Sequence, residues 1–120
     1  MTAHQDPLEA SHLLRDAARR LARSSRSFDR PADSQDVLRD LVETQACLEQ
    51  TLEHLADWHR ATDEGQHYAW TREDGTKGVA MTVTELDLAA QQCDGLRETL
   101  ARAAGSNAVV AWYDEVRPAD

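Results

Sequence analysis

Two of the five histidines, His59 and His67, sit in one short stretch with Trp58, Tyr68, Trp70 and the acids Asp63 and Glu64. Imidazoles beside carboxylates are the raw material of metal sites and of general acid–base chemistry. Zinc requires three or four such ligands to converge tetrahedrally. On a helix, residues share a face at spacings of three or four. His54 and His59 are five apart, about 140° around a helix axis at 100° per residue. Glu64-Gly65-Gln66-His67 has the Glu-x-x-His spacing of di-metal bundles, but those sites use the motif twice, with further glutamates. His54, His59 and His67 are therefore weak metal candidates, and the spacing implies no metal and no cofactor. The plainer role for His59 is an apolar seam position near a helix C-terminus, where an imidazolium suits the dipole.

Nucleophilic or phosphate chemistry finds even less. There is no Gly-x-Ser-x-Gly, no phosphate-binding glycine loop and no His-Glu-x-x-His in the chain. No acids are spaced so as to force two into one apolar cleft. The residue types point away from an enzyme.

His54-Leu55-Ala56-Asp57-Trp58-His59 resembles the first metal-binding helix of the DinB-like four-helix metalloproteins. The resemblance covers those few residues. That family's later His-x-x-x-His pair is missing and the chain is short for its fold, so no site carries across.

The elements that would position these residues are helical. The chain has 120 residues, the length of one domain, with 22 acids, 13 bases and a formal charge of -9. That balance argues against a generic nucleic-acid binder. Ile is absent and large aliphatics are few, a composition near that of disordered chains. Strong helical periodicity offsets this, and a small core points to a partner surface, with a homodimer the simplest expectation.

Asp6-Pro7-Leu8-Glu9 opens a first helix expected over about 7–29, ended by Arg30-Pro31. A second helix, about 34–61, carries Leu38, Leu41, Gln45, Leu48 and Leu52, then Leu55 and His59, at alternating steps of three and four. This is the seam on which an oligomer would form, and Gln45 either sets its register or faces a gap. Thr82-Val83-Thr84-Glu85 reads as a capping box for a third helix, about 83–104, with Val83, Leu86, Ala90, Cys93, Leu96, Leu100 and Ala103 inward. Gly105 then reads as a C-cap and Ser106 as the cap of a short last helix, about 107–116. The connection 62–82 is long for a bundle and reads as a mobile loop or as a small β-hairpin turning at Asp74-Gly75. The expected fold is an all-α antiparallel bundle of three long helices plus a short fourth.

Charge is unevenly spread. Residues 15–30 hold six arginines and two aspartates, a local +4 that leaves -13 elsewhere. Arg15, Arg19, Arg23, Arg26 and Arg30 fall within about 80° on a continuous helix. Such a strip binds phosphates or an acidic partner, or pairs with acids of the other helices. Tyr68, Trp70, Trp112 and Tyr113 lie outside the seams and read as local packing or as partner anchors.

The N-terminus lacks the pattern of a signal peptide, and no apolar run reaches membrane-spanning length. Cys47 and Cys93, without a Cys-x-x-Cys spacing, read as reduced thiols of a cytoplasmic protein. Twelve arginines against one lysine suit a GC-rich bacterial genome. Together these features describe a non-enzymatic helical protein–protein interaction module with an unidentified protein partner. An accessory nucleic-acid binder using the arginine strip is the second expectation, and a small metal-binding helical protein the third.

Overall fold

A computed structural model describes residues 6–62 and 72–113. Those residues form three α-helices and no strand: α1 (Pro7–Ser24), α2 (Asp33–Arg60) and α3 (Arg72–Asn107). The chain divides into two units, one of residues 1–34 with 112–120, the other of residues 35–111.

The first unit holds α1. Asp6 caps it by accepting the Leu8 amide at 3.1 Å, and Pro7 takes the first helical position, where a missing N–H costs nothing. The helix ends at Ser24, short of the expected residue 29. The physical cause is the serine run. The Ser24 and Ser25 hydroxyls turn back to the Leu21 and Ala22 carbonyls, and serine competes with the helix for backbone partners. Arg26 and Arg30 therefore lie beyond the helix, and the continuous five-arginine strip is shortened to Arg15, Arg19 and Arg23. No residue of α1 is buried.

The second unit is built on an antiparallel α2–α3 pair, whose register is read from cross-links. Gln35 donates from Nε2 to the Ala104 carbonyl at 3.1 Å, and Asn107 donates from Nδ2 to Gln35 Oε1 at 2.7 Å. Arg97 reaches Glu49 at 3.3 Å, and Arg60 reaches Asp87. This ladder sets Ala56 level with Ala90. Together with Ala104 they are the buried apolar side chains of the described residues. Small side chains at the crossing let the two backbones approach.

Two expectations at the ends of α3 are corrected. Helix begins at Arg72 instead of residue 83, so Asp74-Gly75 and Lys77–Met81 are helical and the β-hairpin does not form there. Asp74 in the first turn favours this start through the helix dipole. The capping-box threonines lie in the interior, where the Thr82 and Thr84 hydroxyls donate to the Gly78 and Ala80 carbonyls four residues back. The first strand of that hairpin, with Tyr68 and Trp70, lies outside the described residues. At the other end α3 runs through Gly105 to Asn107. Ala108 and Val109 form a turn and residues 110–113 are not helical, so the short fourth helix is absent as far as the described residues extend.

Candidate functional site

The heptad seam of α2 divides into two rows. Leu38, Gln45 and Leu52 lie within about 40° of Ala56 at 100° per residue, on the side that meets α3. All three are half-buried. Leu41, Leu48 and Leu55 recur every seven residues about 60–100° further round. Leu41 and Leu48 are half-buried, and Leu55 is 42% exposed.

On α3 the matching row is Leu86, Cys93 and Leu100, flanked by Leu96, which is 48% exposed. Its contact side is marked by Ala90, Arg97 and Ala104, so the inward phase runs through Arg97 and Ala104 in place of the expected Leu96 and Ala103. Both leucine rows are rotated from their contact lines in the same angular sense. In antiparallel helices that sense puts both rows on one side of the hairpin. From Val37 to His59 this side of α2 presents Val, Leu, Thr, Gln and His without a formal charge. From Leu86 to Asn107 this side of α3 is likewise uncharged. A shallow groove of about 590 Å³ lies toward the start of α3, between Met81, Leu86 and Leu88, with Glu85 also on its lining.

The opposite side is charged and clipped. Arg60 bridges Asp57 on its own helix (2.9 Å) and Asp87 on α3. Arg97 bridges Asp94 on its own helix (2.5 Å) and Glu49 on α2 (3.3 Å). Each clamp is an Asp-x-x-Arg turn that places carboxylate and guanidinium one turn apart and leaves the arginine a second arm for the facing helix. Hydrogen bonding to Asp87 raises the Arg60 pKa above its ordinary value against some desolvation, with both aspartates adding attraction. Hydrogen bonding to Asp94 does the same for Arg97, with Glu49 adding attraction. Both guanidiniums stay charged at any working pH. Asp57, Asp87 and Asp94 are among the acids of the other helices, and the Asp-x-x-Arg repeat was the sequence signal of the role they take here.

The α1 arginines present a different surface. Arg15 and Arg19 share Asp16, at 3.2 and 4.0 Å. Among the described residues Arg20, Arg23, Arg26 and Arg30 form no ion pair. Arg19, Arg20 and Arg23 border a shallow groove of about 410 Å³ with Leu13 and Asp16.

On α2, His54 and His59 lie about 140° apart around the axis. His59 is half-buried, donates from Nδ1 to the Leu55 carbonyl at 2.7 Å and stacks edge-on against Trp58, with ring centroids 4.9 Å apart. His54 is exposed, and His67 lies outside the described residues. Among the described residues no group of three or more His, Cys, Asp or Glu is placed to hold a metal ion. Trp112 and Tyr113 are exposed in the first unit. Cys47 and Cys93 are free thiols, and no helix of the described residues is long and apolar enough to cross a membrane.

No protein-family model, curated protein or solved structure matches this chain.

Proposed function

We propose that the protein is a non-enzymatic helical interaction module that works by docking helix faces. The observation that carries this reading is the open leucine side of the α2–α3 hairpin. No large side chain among the described residues is fully buried, and the buried apolar set consists of three alanines. Folding is driven mainly by removing apolar area from water. A hairpin that leaves two leucine rows half in water has driving force still to be realised against a further surface. Hydrophobic dye binding at low protein concentration tests this. The open side predicts dye fluorescence that falls when Leu48 and Leu55 are changed to Gln; a chain that leaves the dye dark has its leucines covered internally and is not a docking module of this kind.

A second reading has its own observation, the four arginines 20, 23, 26 and 30 without ion-pair partners among the described residues. Such a group suits nucleic-acid phosphates in an accessory role. Phosphate contacts release counterions, so binding would fall steeply with salt, by a log–log slope of about −0.9 per phosphate neutralised. Arg20→Ala with Arg23→Ala would flatten that slope by about two units. Absence of binding to duplex or single-stranded nucleic acid at low salt removes this reading.

A further inference from the structure

We infer that the partner seated on the leucine side of the α2–α3 hairpin is the same side of a second copy, giving a bundle of four helices from two hairpins. This rests on the docking reading above and names its occupant.

Three observations choose the second copy. The first is length. Helix α2 has 28 residues, about 42 Å, and its leucine row runs from Leu41 to Leu55 with Val37 and His59 extending it. From Val37 to His59 that side is about 33 Å long, and helix α1, with 18 residues and about 27 Å, falls short of it. A second hairpin matches it end to end.

The second is charge. In a chain of net charge -9, self-association must keep acids apart. Here Asp57, Asp87 and Asp94 stand on the clamped side, partly neutralised by Arg60 and Arg97, and the leucine side is uncharged from Val37 to His59. Within that span a two-fold contact meets no acid with an acid; Glu85, in the groove at the start of α3, lies beyond it. The arginines of α1, by contrast, would find no carboxylates there.

The third is area. Two helices packed about 9 Å apart, each about 10 Å across, present a face about 19 Å wide. Over the roughly 33 Å from Val37 to His59 this gives about 630 Å² per copy, at the lower end of the range of specific interfaces.

Sedimentation equilibrium across a wide concentration range tests the inference. The expected result is a reversible dimer. Leu48→Arg with Leu96→Arg should convert it to a monomer that keeps its far-ultraviolet helix signal, while Leu14→Arg with Leu21→Arg on α1 should leave it dimeric. Leu55→Lys, at a position already 42% exposed, gives the same test without threatening the fold and should weaken dimerisation at least tenfold. A dimer lost through the α1 pair but untouched by the hairpin variants overturns the inference. A strict monomer also overturns it, and dye binding then separates the two readings. A dye-binding monomer keeps an open docking side with another partner, whereas a dye-free monomer removes the docking reading as well.

Discussion

Arg60 and Arg97 each hold one carboxylate of their own helix and one of the facing helix, so each fixes both a rotamer and the hairpin register. The two clamps are unequal, because Glu49 is 23% exposed while Asp87 is 49% exposed. Water screens the Asp87 pair more effectively. Arg97→Ala should therefore lower the thermal midpoint more than Arg60→Ala, and high salt should shrink both losses; thermal melts at low and high ionic strength would reveal the order. Glycine offers a gain in the opposite direction. Gly95 and Gly105 lie within α3 at negative φ, and a Cβ on either meets nothing within 4 Å. Gly95→Ala and Gly105→Ala should each stabilise the chain by about 0.4–1 kcal/mol in denaturant unfolding, by reducing unfolded-state freedom. In the sequence the histidines drew attention as possible ligands, whereas the structure brings the arginines and acids together. The Asp-x-x-Arg repeats were passed over because an i, i+3 pair looks like any solvated charge pair until the facing helix is placed.

Packing between α2 and α3 is set by alanine. Ala56 is fully buried and stands level with Ala90, which is also buried. Ala56→Leu should cost about 1–3 kcal/mol by forcing the backbones apart, and denaturant melts monitored by circular dichroism would measure the loss. The long α2 was legible because a heptad pattern over three repeats admits few other structures. The ends of α1 and α3 were not, and the reasons are local. Ser24-Ser25 ended α1 before the proline could. Conversely, Asp74-Gly75 and the Thr82–Glu85 box carry turn and cap signals that α3 overrides, since threonine hydroxyls bond equally well to carbonyls one turn back. Gly105 looked like a helix end, yet α3 runs on to Asn107, which joins Gln35 to close that end of the hairpin. The short fourth helix expected beyond it gives way to a turn and non-helical chain through Tyr113.

For the whole molecule, the sparse aliphatic content noted in the sequence reappears as a core of small residues and a leucine side left half in water. The candidate surface was half legible. Leu41 and Leu48 belonged to the expected oligomer seam, but with Leu38, Gln45 and Leu52 as equals. One helix's periodicity cannot say which row its neighbour takes; only the register with α3 separates them. We propose that the outer row is completed by another surface, a second copy in the first instance. Amide hydrogen exchange followed across dilution tests it most directly. The predicted result is protection over residues 41–55 of α2 and 86–100 of α3 that rises with protein concentration, while α1 exchanges at the same rate throughout. Protection of the hairpin that does not change with concentration would contradict it.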